Sequence, residues 1–369
     1  MRFTFFTHSL VSDWNHGNAH FLRGVMRALQ HRGHACRAME PEDGWSRRNL
    51  LADRGPAAIN AFREVFPDLR SDTYAGPDAL DPVLDDSDVV IVHEWTDPEI
   101  VAAIGRRRAR GGRFVLLFHD THHRAVSAQD QIAGLDLGAY DGVLAFGEVL
   151  RERYLRAGWN DRVFTWHEAA DDSVFRPRGS RRAQRDLVWV GNWGDGERSA
   201  ELMEYLVQPV ADLDLSATVH GVRYPPEARA ALAQARIDYA GPIDNTSVPR
   251  CFAEHGVTVH VPRRPYVTAL RGIPTIRVFE ALACGIPLIC APWEDTEGLF
   301  RPGTDYLCVR NGDEMKTALR DVLSDPGLAA ELSRNGLTRI AGRHTCRHRA
   351  GELLGILAAI GAPATEAVA

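Results

Sequence analysis

The stretch GIPTIRVFEALACGIPLIC, residues 272–290, changes its period part-way along. Val278, Leu282 and Ala283 recur at helical spacing, Pro274 and Thr275 stand where a helix opens, and Gly285 stands where one closes. A wholly apolar strand-like run ending at Cys290 follows. A helix that delivers the chain into a short apolar strand is part of a βαβ unit and predicts a parallel sheet covered on both faces. Packing accounts for the apolar positions. It does not account for Arg277 and Glu280, three residues apart on that helix.

The same alternation extends in both directions. Upstream lie LVWV (187–190), ATVHG (217–221), IDYAG (237–241) and VTVHV (257–261), and downstream YLCV (306–309), with helical patterns around 197–213, 226–235, 247–254 and 313–334. A polar, arginine-rich segment, FRPRGSRRAQRD at 175–186, interrupts the scheme and reads as a linker. Before it, RFTFF, DVVIVH, RFVLLF, GVLAF and VFTW repeat the pattern, and Phe21, Leu22, Val25, Met26 and Leu29 share one face of the first helix. The predicted fold is α/β, with two doubly wound, Rossmann-like domains facing one another across a cleft. Residues 1–174 form the first, 175–186 the linker and 187–345 the second, and 346–369 add an amphipathic helix and a frayed tail. Ligands are expected at the carboxyl ends of the strands.

Composition narrows the function classes. A chain of 369 residues, 45% of them hydrophobic, can bury a core larger than one domain usually holds. The net charge of −6 supplies no basic field for nucleic acid. No run approaches the roughly 18 apolar residues of a spanning helix, and MRFTFFTHSL lacks the long apolar stretch of a signal peptide, so a soluble, cytoplasmic protein is expected. Six scattered cysteines without a CxxC pair are expected to be reduced, and no structural metal is expected. The basic run RRRARGGR at 106–113 would suit a membrane surface; a solvated helix end explains it better.

Residues 272–285, with IPLICAPWEDTEGLFRPGTDYL after them, resemble the carboxyl-terminal domain of GT-B glycosyltransferases, and RVFEALACG is similar to a stretch of the spore-maturation (CgeB-like) group. FFTHSLVSDWNHGNAHFLRGVMRALQHRGH, LLFHDTHHR, WHEAADDSVFRPR and DLVWVGNWGDGERSAELM fall in the matching order. The resemblance implies a retaining, hexosyltransferase-like enzyme with a nucleoside-diphosphate sugar as co-substrate and no other cofactor. Its acceptor would be a small molecule, a lipid or a polysaccharide. Similar retaining enzymes often carry a second glutamate eight residues before the first; here that position is Gly272, which leaves the sugar and the stereochemical outcome open.

Such an enzyme must hold a ribose diol, neutralise a diphosphate leaving group and exclude water. A carboxylate accepts from vicinal hydroxyls, which suits Glu280; a guanidinium forks onto phosphate oxygens, which suits Arg277; and the helix start adds free N–H groups. The alternative is a surface ion pair between the two, worth about a few tenths of a kcal/mol. In VGNWGDGERSA, Gly191, Asn192 and Arg198 are further donor candidates at a glycine-rich strand-to-helix turn, where a plain turn with a solvated arginine is an equal reading. In NHGNAH, Gly17 and Asn18 are donor or acceptor contacts, with His16 and His20 beside them. His119 and Asp120, expected just after a strand, are the candidate catalytic pair of the amino-terminal domain. Similar enzymes place the histidine there beside the donor sugar, to position a hydroxyl or to accept a proton with a pKa near neutrality. The donor is expected mainly on residues 187–312 and the acceptor mainly on residues 1–170, without an obligatory metal. Three alternatives remain: a nucleotide-sugar epimerase of the same fold, a metal-dependent hydrolase built on His119, Asp120, His122 and His123 with His93 and Glu94, and a non-catalytic nucleotide-sugar sensor. His344, Cys346 and His348 read as helix-entry polarity.

Overall fold

The computed structural model describes residues 1–179 and 183–361. The chain folds as two units, Met1–Glu168 with the segment from Cys346, and Ala169–Thr345.

In the first unit seven parallel strands form one sheet: β1 (Arg2–Phe6), β2 (Ala35–Pro41), β3 (Arg70–Tyr74), β4 (Val89–His93), β5 (Val115–Asp120), β6 (Gly142–Ala145) and β7 (Val163–Thr165). Their order is β3-β2-β1-β4-β5-β6-β7. The central strands are apolar up to their carboxyl ends, VVIV in β4 and VLLF in β5, because helices cover both faces. β2 and β3 escape an apolar-run search because they carry polar residues. Glu40 of β2 is wholly buried, where it accepts from Ser9 Oγ at 2.8 Å and from the Val11 amide at 3.1 Å. The expected end of β5 at Phe118 is corrected: His119 pairs with both His93 and Leu144, and Asp120 pairs with Ala145, so both residues belong to the strand.

The second unit holds six parallel strands, β8 (Arg185–Val190), β9 (Ala217–His220), β10 (Asp238–Gly241), β11 (His255–His260), β12 (Leu288–Cys290) and β13 (Leu307–Cys308). Their order is β10-β9-β8-β11-β12-β13. Helix Ile276–Cys284 begins after Thr275 and ends at Gly285 in the left-handed conformation, φ 70°. Its Val278, Phe279, Leu282 and Ala283 are buried. The expected single helix at 313–334 is two, Gly312–Ser324 and Pro326–Arg343, because Pro326 stops the first and Asp325 caps the second through the amides of Gly327 (2.8 Å) and Leu328 (3.2 Å).

The expected boundaries shift. Residues 169–179 group with the second unit, and the chain enters β8 at Arg185. Linker residues 180–182 and the tail at 362–369, expected to fray, lie outside the described residues. Helix Cys346–Ile360 belongs to the first unit. There Trp166 Nε1 donates to the Arg349 carbonyl at 2.9 Å, and the Cys346 thiol donates to the Phe21 carbonyl at 3.7 Å. The basic run is a solvated helix end whose Arg107 pairs with Asp85 and whose Arg108 forks onto Asp141 at 2.9 and 3.0 Å. Among the described residues no helix is long and apolar enough to cross a membrane.

Candidate functional site

In a doubly wound sheet the loops part where the strand order reverses, and ligands bind there. In the second unit that point lies between β8 and β11, so the loops after Val190 and His260 define the site.

The glycine-rich loop folds over Arg198. Gly194 has φ 99°, and a Cβ on it would lie 2.4 Å from Arg198 Cγ, so no other residue fits without moving the arginine. Arg198 donates from Nη1 to the Val261 carbonyl at 3.0 Å, and from Nη2 to the Asn192 carbonyl and Oδ1, both at 2.9 Å. Its guanidinium stacks over Trp189 at 5.0 Å, and its buried Nε has no hydrogen-bond partner among the described residues. Those hydrogen bonds end on neutral oxygens. Burial, aided by repulsion from Arg263 and Arg277, brings the guanidinium down to about 9. Arg263 and Arg277 each have a carboxylate partner, Glu197 and Glu280, whereas the hydrogen bonds of Arg198 reach only neutral oxygens.

Arg263 was not singled out from the sequence. It donates to Asn192 Oδ1 at 3.0 Å and to the Gly194 carbonyl at 3.1 Å, and pairs with Glu197. The available signal was its place three residues past β11, opposite the glycine-rich loop at the reversal point. Asn192 accepts from both arginines through one oxygen, which makes that oxygen a positioning group for the guanidiniums.

His260, the last residue of β11, bonds through Nε2 to Thr275 Oγ1 at 2.9 Å. Thr275 therefore gives no side-chain cap to helix Ile276–Cys284, and that helix presents an uncapped amino terminus beside β11. Arg277 and Glu280 do pair with each other. They do not form the surface pair of the alternative reading: the Glu280 side chain has no exposure and that of Arg277 has 24%. Burying a carboxylate costs several kcal/mol that ion pairing rarely returns in full, so stability alone explains the placement poorly.

Gly272 has φ 94°, and a Cβ there would sit 2.3 Å from Thr296 Oγ1 and 3.2 Å from Glu297 Cγ. The space a glutamate would need is filled by the loop at 294–297.

In the first unit the order reverses between β1 and β4. The loops beyond them, with the end of β5, enclose a small cavity lined by Thr7, His16, Asn18, His93, His119 and Trp166 among others. Its accessible volume of about 20 Å³ is room for one water or one hydroxyl group. His119 meets Trp166 edge-on at 4.8 Å and His93 at 5.7 Å. The Trp95 amide donates to His93 Nδ1 at 3.3 Å, so the proton sits on Nε2 and is donated to Thr121 Oγ1 at 3.0 Å. Burial lowers His8 to about 4 and His119 to about 3, and burial with mutual repulsion holds His16 and His93 well below the usual range. The expectation of a near-neutral base at His119 is thus corrected: a neutral imidazole of this kind can orient a hydroxyl but holds a proton weakly.

Asn18 lines the cavity; Gly17 instead offers its carbonyl to His20 Nδ1 at 3.1 Å, and His20 is buried. Asp120 is wholly buried, accepting from Tyr154 Oη at 2.7 Å and from the His122 amide at 3.1 Å, and burial lifts it to about 6. With both oxygens engaged it anchors the loop after β5 rather than meeting substrate. The side chains of the hydrolase alternative are engaged with other partners. His122 stacks on His123 at 4.0 Å and meets Trp95 at 5.3 Å, His123 bonds to Ser127 at 2.8 Å, and Glu94 is held by Arg124 at 2.8 Å. Among the described residues no three histidine, cysteine or acidic side chains converge as a metal site.

Two parallel-sheet units, each with its polar residues at the reversal point, define a GT-B glycosyltransferase fold, and comparison with known proteins agrees. Residues 198–355 match a family model described as Glycosyl transferase-like. HepE from Anabaena, solved with UDP-glucose, superposes with a TM-score of 0.72 at 11% identity, over 97% of this chain and 100% of that one. Sucrose-phosphate synthase from Thermosynechococcus elongatus gives 0.67 at 15% identity, over 98% and 99%. T4 phage BGT with its UDP-glucose substrate gives 0.60 at 12%, over 98% and 99%. No curated protein matches the sequence.

Proposed function

We propose that the protein is a nucleotide-sugar-dependent glycosyltransferase whose donor binds the second unit, and that it is related to the CgeB-like group through RVFEALACG. The observation that carries this is Arg198, buried on neutral oxygens with Arg263 and Arg277 close enough to repel it. A diphosphate would give Arg198 a charged partner in place of neutral oxygens. As the bond from the anomeric carbon to the phosphate oxygen breaks, its electron pair stays on the diphosphate. Arg277, Arg198 and the uncapped start of helix Ile276–Cys284 are preorganised for that charge. They also make a divalent cation dispensable in this proposal, and Glu280 takes the ribose hydroxyls. Family description and neighbours solved with UDP-glucose support the same donor class.

A thermal-shift series with UDP, GDP, ADP and their hexose conjugates tests the reading. One ligand at 100 times its dissociation constant should stabilise the fold by about 2.7 kcal/mol, and Arg198→Ala should abolish that shift. If no nucleotide shifts the wild-type protein, the proposal fails. Acceptor-dependent release of nucleoside diphosphate separates transfer from epimerisation.

A further inference from the structure

At the carboxyl edge of the first unit's sheet stand two features that donor chemistry leaves unused. The first is the histidine cavity. Thr7 Oγ1, His16 Nε2 and His119 Nε2 are buried and have no hydrogen-bond partner among the described residues, while all three residues line the cavity. Such atoms destabilise a fold unless a guest satisfies them. The described lining residues include no carboxylate, lysine or arginine, and the imidazoles are kept neutral by burial. A phosphate or carboxylate would enter without a counter-charge. A hydroxyl both donates and accepts, is neutral, and fits the volume.

The second feature is aromatic. Trp45, the first residue of helix Trp45–Arg54 after β2, is 43% exposed, Trp95 in the loop after β4 is 47% exposed, and Trp14 lies in the loop after β1 between them. Each ring is held. Arg124 lies over Trp95 at 4.4 Å, and Trp14 meets Trp45 edge-on at 5.1 Å while its Nε1 donates to Asp53 at 2.6 Å. Trp95 is coupled directly to the cavity, since its amide donates to His93. A lipid chain needs contiguous apolar surface, whereas these rings stand among Arg124, His122 and Asp53. A fixed indole with polar groups beside it matches a sugar ring, which has an apolar C–H face and a rim of hydroxyls.

We propose that this edge binds a neutral carbohydrate chain, with one hydroxyl in the cavity between His16 and His119 and ring faces resting on Trp95 and Trp45. Its role as the acceptor site rests on the transferase reading above; its binding does not. Calorimetric titration of the full chain, without donor, with neutral hexaoses of glucose, mannose, galactose and N-acetylglucosamine tests it, against hexagalacturonate and phosphatidylglycerol vesicles. At least one neutral hexaose should bind. Trp95→Ala, a surface change, should weaken it about tenfold, and His16→Gln should also weaken it. Binding of no neutral hexaose, preference for the acidic hexaose or the vesicles, or unchanged affinity in Trp95→Ala would each overturn the proposal. UDP, GDP and ADP are titrated alongside: a nucleotide bound with no hexaose bound refutes this acceptor class alone, and a hexaose bound with none of the three nucleotides bound refutes the transferase reading while supporting the carbohydrate surface.

Discussion

Arg277 and Glu280 are paired in the structure, yet the proposed reaction asks different things of them. Charge grows on the diphosphate as the glycosidic bond breaks, so Arg277→Ala should lower kcat by about 10²- to 10³-fold, comparable to losing one oxyanion donor. Arg277→Lys should recover only part, because an ammonium lacks the planar fork. Ribose contacts change little in the reaction, so Glu280→Gln, which keeps the buried volume, should raise the donor KM about tenfold with little change in kcat. Steady-state kinetics on both variants decide; a kcat effect for Glu280→Gln and a pure KM effect for Arg277→Ala would reverse the assignment. Gly272 carries a separate prediction. Its left-handed φ and the contact at 2.3 Å to Thr296 mean that Gly272→Ala should lower stability by more than about 1 kcal/mol, read from the denaturant midpoint. An unchanged midpoint would show that loop 294–297 yields freely.

At the level of elements, the loop at 191–198 and the chain after β11 act as one piece because Arg263 ties Asn192, Gly194 and Glu197 together. Arg263→Ala should speed amide exchange across residues 192–198 and weaken nucleotide binding, while exchange in β8 stays as it was. If exchange in the loop does not change, Arg263 is no clasp. Sequence reading reached the loop and Arg198 because glycines, a strand and a helix lie next to one another in the chain. It missed Arg263 because the partner residues are some 66 to 71 positions away. The same reasoning explains the strands. Apolar runs revealed β4 and β5, since both faces are covered, whereas β2 and β3 carry Arg37 and Glu40, whose partners come from other segments, and Arg70 and Asp72, which pair with each other. His119 was legible as a candidate from its place at the end of an interior run, and it does line the cavity. His93 was placed beside it only as a partner in a metal site, and His16 and Trp166 were not placed beside it, because distant segments deliver them.

For the whole molecule, the buried histidines set an acid limit. His8, His16, His93 and His119 in the first unit and His260 in the second are all shifted downward, with burial the leading cause. A histidine neutral in the fold but free to protonate when unfolded gives stability that is complete above the unfolded value of about 6.5 and is lost as pH falls below it. At pH 5.5 each such group costs about 1.4 kcal/mol. The buried carboxyls of Glu94 and Asp120 act in the opposite direction. Their folded values are raised by burial, so they add stability as pH falls through those values toward the unfolded carboxylate range. Two carboxyls offset only part of the loss from five imidazoles. Thermal unfolding should therefore begin about 5–10 °C lower at pH 5.5 than at pH 7.5, given about 2–4 °C per kcal/mol for a unit of this size. The histidines of the first unit are the cause to be isolated, so the paired change His16→Gln with His119→Gln should shrink the gap between the two pH values even if it lowers both melting temperatures. A gap of the same size in that variant, or no gap in the wild-type protein, would place the acid limit elsewhere.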